Sequence, residues 1–175
     1  MKYSILYKCI LLALFSMSIS AVKAQSCATC TANITDYNIL SYTVNTGETF
    51  CVDTTGIFEG IITLNGGTVC NKGTFNPNTI TFNSGTINNY ANMMLDNNFT
   101  LNTSAILLSD SSAVTTFRGD FTIDGGSFIN NGISNIKNNI TFTSGTFSNS
   151  AVVNCKLLSG ANVAAITDTG IINKN

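Results

Sequence analysis

Histidine is absent from this 175-residue chain, charged residues make up only 10% of it, and proline occurs once. Without histidine there is no side chain that titrates near neutrality, so the commonest general base and the commonest metal ligand are missing. Scarce charge leaves little with which to hold a polyanion. Of the eight Lys and Arg, three (Lys2, Lys8 and Lys23) fall in the first 24 residues. The remainder carries five basic residues, Lys72, Arg118, Lys137, Lys156 and Lys174, against nine acidic ones, a net charge of −4. Those five are spread along the sequence. Nucleic acid and anionic membranes are held by clustered Lys and Arg, so neither is expected as a partner.

A long apolar run is also lacking. Cys9 to Ile19 is the longest stretch of that kind, preceded by Lys2 and Lys8 and followed by Val22-Lys23-Ala24-Gln25. It is too short for a bilayer core, which takes about 20 residues, and the small-x-small pattern before Gln25 is what a signal peptidase cuts. Residues 1–24 therefore read as a signal peptide, with no membrane span in the mature chain and a secreted or cell-surface destination. What is abundant is Asn, Thr, Ser and Gly. A polar chain of that kind could be disordered, but disordered chains lack β-branched and aromatic residues, and here Ile, Val and Phe recur at regular spacing.

That spacing decides the architecture. The phrase Thr63-Leu64-Asn65-Gly66-Gly67-Thr68-Val69 returns as Thr81-Phe82-Asn83-Ser84-Gly85-Thr86-Ile87, as Thr122-Ile123-Asp124-Gly125-Gly126-Ser127-Phe128 and as Thr141-Phe142-Thr143-Ser144-Gly145-Thr146-Phe147. A degenerate copy begins at Thr100, an earlier one at Thr43, and a fading one runs from Leu157 to Val163. Successive Thr positions 43, 63, 81, 100, 122 and 141 are 20, 18, 19, 22 and 19 residues apart. Within each copy the period is two, the mark of half-buried strands, and the Asn/Ser-Gly step is a turn. One such coil cannot bury its inner row alone, so neighbouring coils must stack.

The expected fold is all-β: a single-stranded, right-handed parallel β-helix of six to seven coils of roughly 19 residues, about 30 Å long at ~4.8 Å per coil. Residues 25–41 are expected to form an N-terminal cap and 42–175 the solenoid. The inner columns should be Leu64, Phe82, Leu101, Ile123, Phe142 and Val69, Ile87, Ile106, Phe128, Phe147. Asn-rich corners at 88–89, 97–98, 130–131 and 138–139 tolerate left-handed conformations and can stack amide on amide between coils. The irregular residues 164–174 are expected to cover the final edge, unless that end pairs with another copy of the chain.

The phrase from Gly60 to Gly73 and its sequel Thr79 to Asn89 resemble the Asn/Gly/Thr-rich repeats of large secreted, adhesin-like surface proteins of the Bacteroidetes. The resemblance covers about residues 42–150. It implies a parallel β-helix and a surface role. A sorting domain of the type such proteins often carry at their end is not recognisable after Gly160.

Catalytic chemistry is thin. Asp120 and Asp124 share an outward face beside Arg118, the only Arg, with Asp96 or Asp110 as further acids, the kind of carboxylate cluster near a cation that a polysaccharide-cleaving β-helix uses. Arg118-Gly119-Asp120 also spells a cell-attachment tripeptide. Five cysteines follow the signal. Cys51 and Cys70 are one repeat apart and are expected to lie over each other and pair, with Cys27 and Cys30 forming a small cap disulfide and Cys155 left over. With no His, these thiols make no complete zinc shell, and neither metal nor cofactor is expected. The remaining candidate is the outer face itself, a double row of Thr63, Thr81, Thr100, Thr122, Thr141 and Asn65, Asn83, Asn102, Asp124, Thr143. These considerations lead to a non-catalytic, adhesin-like or structural module contacting carbohydrate, a surface or itself. The alternative is a solenoid that uses the Thr/Asn face to bind glycan or ice, and third a polysaccharide-active enzyme.

Overall fold

A computed structural model of the chain describes Cys27 and residues 29–174; the expected signal peptide lies outside the described residues. The strand pairs are parallel throughout, and they stack as a β-solenoid of about 8 turns with about 19 residues per turn. Each coil has three faces. The first runs through Ser41–Asn45, residues 61–65, 79–84, Phe99–Asn102, 121–124, 139–144 and Leu157–Ser159. The second runs through Ala32–Ile34, Thr49–Val52, residues 68–71, 86–89, 106–109, 127–130, 146–149 and Thr167–Asp168. The third runs from Tyr37–Asn38 through Asn92–Leu95, Val114–Phe117, Ile133–Ile136 and Val152–Cys155 to Ile171–Lys174.

The stack exceeds the expected six to seven coils because its ends pair without the Thr-x-Asn phrase. Ala32–Ile34 pairs with Thr49–Val52 and Tyr37–Asn38 with Ile57–Phe58, so stacking begins inside the segment expected to be a cap. Likewise Thr167–Asp168 and Ile171–Lys174 extend the ladders; they add a rung where an irregular cover was expected. Ladder pairing needs backbone N–H and C=O groups, not a particular side chain.

Where the first face turns into the second, the backbone adopts positive φ at Gly47 (85°), Gly66 (91°), Gly85 (109°), Gly125 (88°) and Gly145 (98°), and at Ser104 (73°) in the degenerate coil. No Asn among the described residues has positive φ, so the Asn-rich segments do not use the left-handed conformation they tolerate. Glycine carries that work because it has no Cβ to clash there. A Cβ at Gly85 would also run into the carbonyl oxygen of Gly67 on the coil below.

The first-face inner column, Leu64, Phe82, Leu101, Ile123 and Phe142, is buried as expected. On the second face Leu107, not Ile106, continues Ile87 into Phe128. The degenerate corner holds one residue more than the Gly-Gly corners, so Ile106 faces outward and is 39% exposed. Phenylalanines fill the space between faces: Phe117 stacks on Phe121 at 4.3 Å, and Phe50, Phe58 and Phe75 follow one another at 5.0 and 5.6 Å. Each such ring contributes on the order of 1.5–3 kcal/mol through burial.

The inner columns also hold a polar seam at the second-to-third corner. Asn71, Asn89, Ser109, Thr115, Asn130, Ser134 and Asn149 are all buried. Asn71 Nδ2 donates to Asn89 Oδ1 at 2.7 Å, and Asn89 Nδ2 donates to Thr115 Oγ1 at 2.9 Å. Asn130 Nδ2 donates to Asn149 Oδ1, and Asn149 Nδ2 to Asp168 Oδ1, each at 2.8 Å. Amide-on-amide stacking is therefore present, but inside the coil.

The four expected disulfide cysteines are bonded, with exchanged partners. Cys51 and Cys70 do occupy neighbouring positions on successive coils. Cys27 bonds Cys70 and Cys30 bonds Cys51, with Cα separations of 5.9 and 5.7 Å. Side chains at paired positions on parallel strands point the same way roughly 4.8 Å apart, wider than the ~3.8 Å between Cβ atoms that a disulfide requires. Cys27 and Cys30 instead each reach one of the two positions and bond it. Among the described residues Cys155 is the free cysteine, buried, and its thiol is pushed up by that burial despite the opposing charge of Lys174.

Candidate binding face

The outward side of the first face is the candidate site. Its first column is in register in two stretches, Thr43 with Thr63 and Thr63 with Thr81, then Thr100 with Thr122 and Thr122 with Thr141; the ladder is not paired between Thr81 and Thr100. All are half-buried or exposed, as outward strand residues flanked by inward neighbours must be. Among the described residues no protein group takes up the hydroxyls of Thr63, Thr81, Thr100, Thr122 or Thr141, which leaves them to solvent or a ligand.

The second column is less regular. Asn45 pairs with Asn65 and Asn102 with Asp124, but Asn65 pairs with Ser84 and Asp124 with Ser144. Asn83 and Thr143 are thus displaced at irregularities next to the Gly corner. Asn83 Nδ2 still reaches Asn65 Oδ1 at 2.7 Å. Toward the N-terminal end Glu48 Oε2 holds the Asn45 amide at 3.1 Å and its backbone N–H at 2.6 Å. This column spends much of its hydrogen-bonding capacity on itself.

A further outward column lies just across the Gly corner on the second face. Thr49, Thr68, Thr86, Ile106, Ser127 and Thr146 are in register there. Period two marked Thr86 and Ser127 as outward, but their alignment into a second hydroxyl row becomes visible only once the Gly-Gly step is known to be a corner. Ile106 interrupts the row.

The residues that could have made a catalytic centre are each engaged separately. Arg118 Nη1 binds Asp96 Oδ1 at 2.9 Å. Asp120 Oδ1 accepts the Asn139 N–H at 3.1 Å, and Asp124 Oδ1 the Ser144 hydroxyl at 3.4 Å. Gly119 is buried against the backbone of Asn97 and Asn98, so Arg118-Gly119-Asp120 turns a tight corner rather than presenting a projecting loop. Among the described residues no three His, Cys, Asp or Glu side chains come together as a metal shell. Tyr37, its phenol pushed up by a hydrogen bond to Glu59, and Tyr90, pushed up by burial and by Asp110, lie off this face.

Comparison with family models, curated proteins and solved structures returned no match. Among the described residues no helix is long and apolar enough to cross a membrane.

Proposed function

We propose that the chain is a non-catalytic, extracellular or cell-surface β-solenoid module, adhesin-like in role, that presents its outer Thr/Asn face to carbohydrate-bearing surfaces. The observation that carries this reading is the column of unengaged Thr hydroxyls on the first face, in register through Thr43, Thr63 and Thr81 and again through Thr100, Thr122 and Thr141. Such a column offers a sugar polymer repeated donors and acceptors along a single line, with no acid–base pair beside it. The two disulfides fit an oxidising compartment, and the signal-like N-terminus agrees with export.

The experiment is a glycan array probed with the mature chain, alongside a Thr81→Tyr, Thr100→Tyr variant that roughens the hydroxyl column without touching the inner rows. Glycan retention by the mature chain, lost in the variant and accompanied by no release of reducing sugar, is the expected result. Retention unaffected by the two tyrosines would remove the first face from the proposal; sugar release would replace it with an enzyme.

The same hydroxyl column favours ice as a second ligand class. It is the weaker reading, because the row beside it alternates among Asn, Asp, Ser and Thr, with displacements at Asn83 and Thr143.

A further inference from the structure

The basic residues, dispersed in sequence, are collected by the fold. Arg118, Lys137 and Lys156 follow one another at intervals of 19 residues, and Lys174 comes 18 later. One repeat therefore separates each from the next, and all four come to the third face or the corner that follows it. The backbone N–H of Arg118 donates to Leu95 O and that of Lys137 to Phe117 O, each at 2.8 Å, so Lys137 stacks directly on Arg118. Lys156 donates its N–H to Asn138 O and its Nζ reaches Asn138 Oδ1 at 3.5 Å, one rung further on. Lys174 is in register with Cys155, immediately before Lys156. All four side chains are exposed. Asp96 pairs with Arg118 and closes the row at one end, and Asp120 is the nearby corner carboxylate, turned to the Asn139 N–H.

Beside this row lies a groove of about 570 Å³ lined by Thr116, Asn135, Ile136, Asn154 and the two lysines 137 and 156, with Cys155 at its floor. Its polar wall is a second amide ladder: Asn154 Nδ2 donates to Asn135 Oδ1, and Asn173 Nδ2 to Asn154 Oδ1, both at 2.8 Å. Thr116 and Asn135 are paired positions and continue the same column.

We propose that this edge binds a linear anionic polysaccharide carrying a carboxylate on each sugar, laid along the solenoid axis. One cation per coil repeats every ~4.8 Å, comparable with the length of one pyranose unit, so successive carboxylates meet successive cations while hydroxyls face the Asn135–Asn154–Asn173 amides. The groove has no aromatic lining, and hence no platform on which nucleic-acid bases could stack; Arg118, Lys137 and Lys156 on successive coils beside an amide wall, with Lys174 one position off their line, suit a thin polymer better than a duplex. The inference rests on the carbohydrate-contacting reading but uses a different edge of the coil.

The test is affinity electrophoresis of the mature chain through gels containing polygalacturonate, its methyl-esterified form, or single-stranded DNA. Retardation by polygalacturonate alone, fading as salt rises from low to physiological concentration, is expected. Lys137→Gln with Lys156→Gln should weaken it about tenfold, since each exposed ion pair is modest on its own, and Lys137→Arg with Lys156→Arg should retain it. The Thr81→Tyr, Thr100→Tyr variant should bind polygalacturonate as the parent does, which separates this edge from the first face. Equal retardation by the esterified polymer, stronger retardation by DNA, or indifference to the Gln substitutions each overturns the proposal. Circular dichroism of the Gln variant checks its fold; should it misfold, the salt dependence and esterification contrast of the parent chain still decide.

Discussion

Ser104 occupies, at φ 73°, the corner position where five other coils place glycine with φ between 85° and 109°. A left-handed L-residue costs about 1–2 kcal/mol, and the greater freedom that glycine has in the unfolded chain returns roughly 0.4–1 kcal/mol of that. Ser104→Gly should therefore stabilise the fold by about 0.5–1 kcal/mol, read as a higher urea midpoint with an unchanged slope. Gly85→Ala should do the reverse by about 2 kcal/mol or more, because a left-handed φ and a collision with the Gly67 carbonyl act together. A midpoint that does not move for Ser104→Gly would mean that the corner tolerates side chains and that glycine is there for another reason. The turn itself was legible from the Asn/Ser-Gly step. Which residue took the left-handed conformation was not, since Asn also tolerates it and only the stacked backbone shows that space as well as φ selects glycine.

The buried amide seam follows from the two-residue period. Asn71, Asn89, Asn130 and Asn149 each follow an inward Val69, Ile87, Phe128 or Phe147 by two residues, so strict alternation sends them inward. Their burial is tolerated because the amides find partners on neighbouring coils, as amide-on-amide stacking requires. Asn130 shows what is at stake: its Nδ2 faces Gly132 O, Asn149 Oδ1 and Val152 O within 3.1 Å, and its Oδ1 accepts the Ser134 hydroxyl at 2.8 Å. Asn130→Leu keeps the volume but orphans those groups, at about 1–3 kcal/mol for each that stays buried and unpaired. The total loss should be about 3 kcal/mol. Because Asn149 Oδ1 is one of the orphans, adding Asn149→Leu should cost less than its effect alone, with a coupling of about 1 kcal/mol or more in a double-mutant cycle. Strict additivity would show that the amides act one by one and not as a ladder. The misplacement of Ile106 has a similar origin: one extra corner residue changes the parity of everything after it.

At the scale of the whole molecule, repetition turns sequence intervals into neighbourhoods. Cations one repeat apart become adjacent, which is why a chain with no basic run still has a basic edge; the interval was present in the sequence, but charge was weighed there by local density. The same geometry makes stability nearly one-dimensional, each coil depending on those above and below. The two ends differ sharply. Near the N-terminus the Cys27–Cys70 and Cys30–Cys51 bonds close loops with sequence separations of 43 and 21 residues, each contributing about 3–4 kcal/mol in the chain-entropy description. Toward the other end no residue from Ser159 to Lys174 is buried, and Val163, Ile166 and Ile172 pack against the core only partly buried. Local opening free energies should follow that gradient. Hydrogen exchange followed by mass spectrometry should find slow amides across residues 61–149 and fast ones across 159–174. Reduction of both disulfides should accelerate exchange in residues 31–58 and leave 159–174 as they were, because nearest-neighbour coupling weakens over the intervening coils. Uniform protection along the chain, or a uniform loss on reduction, would instead mean that the stack opens as one cooperative unit and that the disulfides act on all of it at once.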